Sequence, residues 1–193
     1  MARKCNFDRD QKLTQAMELF WQRGYAHTAI SDLIDALQIN RFSLYNTFGD
    51  KQQLYYEALD KYLQSVSFPA LAELQKPQAS LSEIEHFLRQ FAELQRQRSC
   101  GCFMQNALVE HAGEDERVLE RGHQLFDHLT EVLTQALANA VASGAVTGNL
   151  APAALASLIL TQMQGMRVLG KAKRYQDLEQ ALETLLQLIK REA

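Results

Sequence analysis

The sequence predicts an all-α protein. The chain of 193 residues contains only 9 Gly and 3 Pro, whereas sheet-rich and loop-rich folds use more of both in their turns. Apolar residues also recur at positions i, i+3, i+4 and i+7, the spacing that lines one face of a helix. With 47% hydrophobic and 22% charged residues, the chain can bury a real core as one large domain or two small ones.

Three short helices are predicted in the first fifty residues. They cover residues 10–23, 30–37 and 41–48. Asp8 or Asp10 can cap the first helix, and Gly24 is a natural left-handed stop at its end. Thr28 precedes the second helix, and Asn40 is a good N-cap for the third.

Longer helices are predicted in the rest of the chain. A capped helix from Asp50 ends near Pro69, and Ser80 and Glu83 have the spacing of a capping box at the start of the next one. Further patterns span 115–143, 152–168 and 176–191, with Pro152 in a first turn where its missing N–H costs little.

The cysteine count and the apolar runs limit the setting of the protein. Cys5, Cys100 and Cys102 are an odd number in a chain large enough to fold without disulfides, so we expect thiols in a reducing compartment. The first ten residues lack the apolar core of a secretory signal, and no apolar run approaches the about 20 residues that cross a bilayer. We therefore expect a soluble cytoplasmic protein without membrane contact.

The second and third predicted helices are joined by a tight turn, which is the layout of a helix-turn-helix. In that motif the second helix lies in the major groove of DNA. Helix pairs of this size occur in many all-α proteins, so the layout alone does not establish DNA binding. Residues 40–51, NRFSLYNTFGDK, add side chains suited to bases and phosphates, while Leu44 and Phe48 fall on the apolar face.

The run TAISDLIDALQINRFSLYNTFGDK, preceded by AMELFWQRGY, resembles the N-terminal DNA-binding domain of the TetR family of bacterial repressors. The resemblance covers residues 8–63. It combines the apolar first helix, the Gly-Tyr turn, the Thr before the second helix and the L-Y-x-x-F-x-x-K run. It implies a helix-turn-helix domain over residues 1–50, a connecting helix over 51–69, and an effector-binding and dimerisation domain over 70–193.

The resemblance also implies roles for individual residues. Thr28, Tyr45 and Lys51 match positions that usually hold phosphates. The groove-facing surface matches Arg41, Phe42, Ser43 and Asn46, and Asn40 and Thr47 complete the predicted DNA-binding set.

Two residues depart from the family pattern. Gln38 stands where the family normally has Gly, and a left-handed conformation costs energy for a residue with a Cβ. Phe42 replaces a small residue, and it could contact a thymine methyl group or plug the domain.

The bulk charge does not indicate a nucleic-acid partner. The net charge is −3 and the pI is about 6.0. Residues 1–63 hold eight basic and eight acidic residues, so the whole −3 falls in residues 64–193. Basic residues in the first segment cluster at the arm and recognition helix: Arg3, Lys4, Arg41 and Lys51. We expect few ionic contacts and a modest salt dependence, because each neutralised phosphate contributes about −0.9 to the slope.

For residues 70–193 the resemblance implies effector binding and dimerisation. The last two helices are rich in Leu, Ala and other small residues, which permit close packing in a four-helix interface but would equally suit an internal core. Two DNA half-sites about 34–36 Å apart need two recognition helices, which favours a homodimer on double-stranded operator DNA. An apolar effector pocket is predicted from residues that could also be plain core: Phe103, Met104, Phe126, Met163 and Met166.

The segment SCGCFMQNALVEHAGEDERV resembles a branch of the family, the NemR or ComR type, whose regulators respond to thiol-reactive compounds or copper. Cys102 could react with an electrophilic effector if Arg96 or Arg98 lowered its pKa, and Cys100 could then resolve the oxidised thiol. A buried Cys at a helix start would instead be an ordinary small hydrophobe.

Metal and enzyme chemistry have little support in the sequence. His123 and His128 point to different helix faces, and Cys100-x-Cys102 with distant His111 fits no zinc spacing, so no metal or cofactor is expected. No phosphate-binding Gly loop, G-x-S-x-G elbow or HExxH motif occurs. The alternative to a DNA-binding regulator is a small helical thiol enzyme or redox protein that uses Cys102 with His111. That alternative leaves NRFSLYNTFGDK unexplained.

Overall fold

The structure is a computed structural model, and it describes residues 7–97, 100–111, 113–146 and 150–190. In chain order its helices are α1 (Arg9–Arg23), α2 (Ile30–Leu37), α3 (Arg41–Phe48), α4 (Lys51–Tyr62), α5 (Leu81–Gln97), α6 (Phe103–Glu110), α7 (Glu116–Ala142), α8 (Pro152–Lys171) and α9 (Tyr175–Ile189). A π-helical turn follows α4 over Leu63–Ser67, and a short 3₁₀ turn spans Pro69–Leu71. The predicted all-α fold is confirmed.

Side-chain caps set where the N-terminal helices begin. The carboxylate of Asp8 accepts from the N–H of Asp10 at 2.9 Å, and Asn40 Oδ1 accepts from the N–H of Ser43 at 2.8 Å. Asp50 caps α4 in the same way. These side chains satisfy amides that have no partner in the first helical turn. The caps predicted at Asp8, Asn40 and Asp50 are therefore confirmed.

The chain folds into two compact units that do not follow the predicted boundaries. The first unit contains the chain up to Ser67 together with Cys102–His123, and the second contains Phe68–Gly101 together with the chain from Gln124 onward. The prediction placed everything after residue 69 in one effector domain. The structure instead packs α6 and the first turns of α7 with the N-terminal helices.

This division corrects the predicted location of the net charge. The first unit holds ten basic and thirteen acidic residues, whereas the second holds ten of each. The difference arises because Cys102–His123 carries five carboxylates and only two arginines. The −3 therefore belongs to the unit that contains the helix-turn-helix, so any attraction to DNA must come from local groups rather than from the unit's total charge.

Aromatic side chains form much of the first unit's core. Tyr55 on α4 meets Phe20 of α1 edge-on at 5.1 Å between ring centroids, and it meets Phe103 of α6 edge-on at 5.6 Å. Phe103 and Met104 are almost fully buried. Burial of large apolar side chains is the main stabilising term in such a core. Helix α4 is thus packed against both α1 and α6.

Gln38 takes the left-handed conformation that its position in the turn requires. Its φ and ψ are 52° and 42°, and its backbone N–H closes α2 on the carbonyl of Ile34. The side-chain Nε2 donates to the carbonyl of Asp35 at 2.6 Å. A residue with a Cβ is strained in this region by about 1 kcal/mol or more.

Replacing Gln38 with Gly is expected to stabilise the protein by up to about 1 kcal/mol, because Gly removes the Cβ clash of the left-handed conformation. Urea unfolding measures this difference. Gln38→Ala is the matched control, since it removes the side-chain hydrogen bond but retains the Cβ, and it should not stabilise. Equal stabilities of Gln38→Gly and Gln38→Ala would contradict strain at this turn.

The second unit is built from α5, α8, α9 and the rest of α7 around one apolar core. Surface ion pairs join α5 to α9: Arg89 pairs with Glu183, and Arg96 pairs with Glu179. Arg89 also pairs with Glu85 within α5. Hydrogen bonds from Lys190 and Arg89 hold the pKa of the Glu85 carboxyl below its usual value. Among the residues that the structure describes, no helix is long and apolar enough to cross a bilayer.

Candidate nucleic-acid interface

Helix α3 is anchored by two apolar side chains and presents its remaining side chains outward. Leu44 and Phe48 are buried in the first unit. Phe42 is 79% exposed and Tyr45 40% exposed. The other predicted contact residues on and beside the helix are exposed or half-buried: Asn40, Arg41, Ser43, Asn46 and Thr47. One short helix, anchored at Leu44 and Phe48, thus leaves most of the predicted DNA-binding set exposed or half-buried.

The exposure of Phe42 decides between its two predicted roles. A ring that plugs the domain would be buried, whereas this ring is the most exposed large apolar side chain among the described residues. Leaving so much apolar surface in water is unfavourable for the protein alone. Phe42 therefore does not fill the interior of the domain. The interpretation that remains is contact with a partner, such as a thymine methyl group.

Two cationic side chains of the predicted DNA-binding set, Arg41 and Lys51, are described by the structure. Each packs against an aromatic ring. The Arg41 guanidinium lies 5.7 Å from the centroid of Tyr45, one helical turn away. Lys51 Nζ lies 4.1 Å from the centroid of Tyr25. Burial lowers the pKa of Lys51, against the opposing attraction of Glu110 and Asp32. Stacking of this kind restricts the long side chains before any ligand arrives.

Thr28 requires a correction. Its side chain is fully buried, with Oγ1 donating to the carbonyl of Gly24 at 2.6 Å and its N–H donating to the carbonyl of Tyr25 at 3.3 Å. Both donors are used inside the protein, so neither is available to a phosphate. Thr28 shapes the turn between α1 and α2 instead of contacting DNA.

Glu110 at the end of α6 holds the same turn, a contact that no sequence pattern indicates. Its carboxylate accepts from the backbone N–H groups of Tyr25 at 2.9 Å and Ala26 at 2.7 Å. Gly24 has a φ of 82°, and a Cβ there would lie 3.0 Å from the carboxylate oxygens. Gly24 is therefore needed both for its conformation and for the close approach of Glu110.

A second polar contact ties α4 to the start of α7. Tyr56 OH donates to Asp115 Oδ2 at 2.7 Å, and the same carboxylate caps α7 by accepting from the N–H groups of Arg117 and Val118. Arg121 forms a two-pronged ion pair with Asp60, both bonds being 2.7 Å long. An open cleft of about 580 Å³ lies beside these residues and is lined mainly by polar side chains.

The Tyr56–Asp115 bond predicts a specific pH dependence of stability. Although burial alone would raise the pKa of Asp115, hydrogen bonds from Tyr56 and the α7 amides lower it overall. Asp115 thus stabilises the fold above its unfolded pKa, and this contribution is lost as pH falls through the folded value. Burial and the bond to Asp115 raise the pKa of Tyr56 to about 12. The phenol's contribution is complete below its unfolded value, near 10, and is lost as pH rises through 12.

Tyr56→Phe is expected to cost about 1–2 kcal/mol at neutral pH, because a buried hydrogen bond to a charged group is lost. The deficit should shrink at acid pH as Asp115 becomes protonated, and also above pH 10. Urea unfolding across this range measures it. Tyr45→Phe makes the same change at an exposed tyrosine and should leave stability unchanged. A deficit independent of pH would contradict coupling to Asp115.

Cys102, the predicted sensing thiol, is buried, and its reactivity stays a prediction. Cys102 is 5% exposed and forms the N-cap of α6 without a side-chain cap bond, and both Cys100 and Cys102 are thiols. Arg96 is paired with Glu179, which corrects its predicted role as a thiolate partner. Arg3, Lys4, Cys5 and Arg98 lie outside the described residues.

The geometry of α6 argues against the thiol-enzyme alternative. Cys102 and His111 cap opposite ends of this helix. At a rise of 1.5 Å per residue, nine positions separate their backbones by about 13 Å. A cysteine and its base must be within hydrogen-bond reach, so these two residues do not form a catalytic pair.

The predicted effector-lining residues are divided between the two units. Phe103 and Met104 belong to the core of the first. Met163 and Met166 are buried in the core of the second, where Phe126 is half-buried. Phe103, Met104, Met163 and Met166 are thus buried in the cores of their units, and their role in lining an effector pocket stays a prediction.

These features define a class of protein: a helix-turn-helix regulator whose second helix is anchored by apolar residues and offers its polar and aromatic side chains outward. Residues 13–58 match the family model for bacterial regulatory proteins of the tetR family, and residues 80–186 match the tetracyclin repressor-like C-terminal domain. The chain belongs to the TetR family. The resemblance drawn from the NRFSLYNTFGDK region is confirmed.

Relatives extend over most of the chain. The transcriptional repressor ComR of Escherichia coli K12 is 29% identical over 168 residues, which cover 84% of this chain and 79% of ComR. The repressor DhaR of Mycobacterium sp. GP1 is 21% identical over 183 residues, covering 94% and 91%. A triple cysteine mutant of the regulator CifR, solved with 26-base-pair operator DNA, has a TM-score of 0.82 at 25% identity and covers 97% of this chain and 100% of CifR. Reduced NemR of E. coli shares the fold, with a TM-score of 0.81, 20% identity and coverage of 96% and 99%.

Proposed function

We propose that the protein is a homodimeric transcriptional repressor that binds operator DNA through α3 and is released by a small effector. The observation that carries the proposal is the surface of α3, where Phe42, Arg41 and Asn46 face outward while Leu44 and Phe48 fix the helix from below. ComR and DhaR, which are named as repressors, and CifR, which was solved on operator DNA, support this assignment.

The residues of the surface divide into base-reading and phosphate-holding groups. Arg41 and Asn46 have the side chains that pair with guanine and adenine edges, and Phe42 suits a thymine methyl group. Tyr45 and Lys51 can hold phosphates on either side, because contacts to the backbone position a protein without reading sequence. Asn40, Ser43 and Thr47 supply shorter polar side chains along the same helix.

The outer face of α8 supports the proposed homodimer. Leu158 and Val168 are 47% and 61% exposed, and the exposed positions between them on that face, Thr161 and Gly165, are small or polar. Leu188 of α9 is also strongly exposed. Small residues permit two helices to approach closely, and a two-fold symmetric contact would cover this apolar face.

A small effector is proposed to act through the second unit. An apolar compound is favoured over an electrophile, because a thiol as buried as Cys102, with no cation paired to it among the residues that the structure describes, is poorly placed to react. Release from DNA is proposed to involve Glu110. A displacement of α6 would break the hydrogen bonds of Glu110 to the turn that precedes α2.

The proposal is tested by fluorescence anisotropy with labelled DNA from the region upstream of the protein's own gene. We expect saturable binding that unlabelled copies of this DNA displace far better than random DNA. Two to four cationic contacts per protomer predict a slope of log affinity against log salt of about −4 to −7. Equal binding to random DNA at every salt concentration would contradict the proposal, and a slope as steep as about −10 would contradict the small number of phosphate contacts.

A further inference from the structure

Arg167 is a buried charge in the second unit. It is the only charged residue between Val132 and Gly170. It lies four residues after Met163, so both occupy the inner face of α8. The residue is only 8% exposed. Arginine is almost never buried to this degree unless another group compensates its charge.

The contacts of Arg167 leave one edge of the guanidinium unused. Nη1 donates to Gln164 Oε1 at 2.7 Å, and Gln164 Nε2 donates to the carbonyl of Leu160 at 3.0 Å, which fixes the amide. The guanidinium carbon lies 5.1 Å from the centroid of Phe91. Nε is buried and has no hydrogen-bond partner. With Nη1 held by Gln164, the remaining edge is the Nε and Nη2 pair.

Among the residues that the structure describes, the second unit does not supply an anion for this edge. No ion pair among the described residues includes Arg167. Several carboxylates of the unit are engaged elsewhere: Glu85 and Glu183 with Arg89, Glu179 with Arg96, and Asp177 with Arg174. A buried charge without a counter-ion opposes folding, and the ring of Phe91 and one amide oxygen compensate it only in part.

We propose that Arg167 binds the carboxylate of the effector, so the ligand of this unit is a small organic acid with an apolar body. The inference rests on the proposed function, which places an effector in the second unit. The free Nε and Nη2 edge matches a carboxylate through two parallel hydrogen bonds. Phe91 lies against the guanidinium, and Met163 and Met166 are buried in the same apolar core, so the part of the acid next to the carboxylate would be apolar, and the flexible methionine side chains could adjust to it.

Two pairs of acids and their uncharged amides serve as probes: benzoate with benzamide, and hexanoate with hexanamide. Isothermal titration and thermal unfolding of the full-length protein are expected to detect binding of at least one acid and a rise in Tm, with no comparable effect of its amide. Arg167→Met should weaken acid binding at least about tenfold. Arg167→Lys should give an intermediate loss of acid affinity, because lysine retains the positive charge but lacks the two parallel N–H donors of the guanidinium. Arg174→Met removes an exposed arginine of the same unit and should bind as the wild type does.

The proposal would be overturned if neither acid binds the wild type better than its amide, or if Arg167→Met binds acids normally. Stability gives an independent readout. A ligand-binding charge should be dispensable for folding, so Arg167→Met should have a Tm equal to or above that of the wild type without acid. A large drop in Tm, or failure to fold, would assign Arg167 a structural role and overturn the proposal.

DNA binding by the same preparations separates this inference from the proposed function. Specific DNA binding without acid binding would contradict only the role of Arg167. Acid binding without any specific DNA binding would contradict the proposed repressor.

Discussion

Leu158→Arg is expected to convert the protein into monomers and to lower its affinity for a two-half-site operator by about 10³-fold or more. The leucine side chain is 47% exposed on α8, so the arginine can project into water in each separate protomer. In a two-fold symmetric interface the same substitution places two like charges against each other and desolvates both. A monomer then engages one half-site, and its binding approaches the non-specific range.

Analytical ultracentrifugation measures the change in mass, and anisotropy with operator DNA measures the change in affinity. Leu94→Arg is the matched control, because it introduces the same charge at an exposed leucine of α5. The control should remain dimeric and bind DNA. A Leu158→Arg protein that stays dimeric would contradict the assignment of the outer face of α8 to the dimer interface.

Phe42→Ala is expected to reduce operator affinity about 10- to 100-fold while leaving the free energy of unfolding unchanged. The ring is 79% exposed, so its removal leaves no cavity in the core. Burying a whole phenylalanine side chain contributes about 1.5–3 kcal/mol, which corresponds to this loss, and a thymine methyl group supplies part of the apolar surface that covers the ring. The loss should therefore depend on the operator sequence and be greatest where a thymine occupies the contacted position.

Anisotropy with operators that carry thymine or uracil at each position measures this contact, since uracil lacks only the methyl group. The wild type should lose affinity on uracil substitution at one position, and Phe42→Ala should not. Lys51→Ala and Tyr45→Phe provide the contrast, because loss of a phosphate contact weakens binding to all sequences about equally. Unchanged DNA affinity in Phe42→Ala would remove this residue from the interface.

Local features of the structure were predictable because their causes are local in sequence. The caps at Asp8, Asn40 and Asp50 lie within three residues of the amides that they satisfy. The apolar anchors Leu44 and Phe48 follow from helical spacing alone.

Features that depend on distant contacts were not predictable from patterns. Glu110 accepts from backbone groups more than eighty residues earlier, and no spacing rule signals such a contact. This packing of α6 also reassigns the net charge to the first unit. Thr28 was misassigned because burial, and not residue type, decides whether a hydroxyl can reach a phosphate. Arg167 did leave a signal, since it is a single charge in a long uncharged stretch.

The central claim is that α3 reads DNA sequence as part of a dimer, and selection from a pool of random duplexes tests it most directly. Sequencing of the bound fraction should reveal a palindromic site whose half-sites are separated by about 10–10.5 base pairs or a multiple of that spacing. The same selection with Asn46→Ala should change the preferred base at one position of each half-site. Failure to enrich any sequence would contradict sequence reading by α3. So would a motif from the Asn46→Ala and Phe42→Ala proteins that is identical to the wild-type motif.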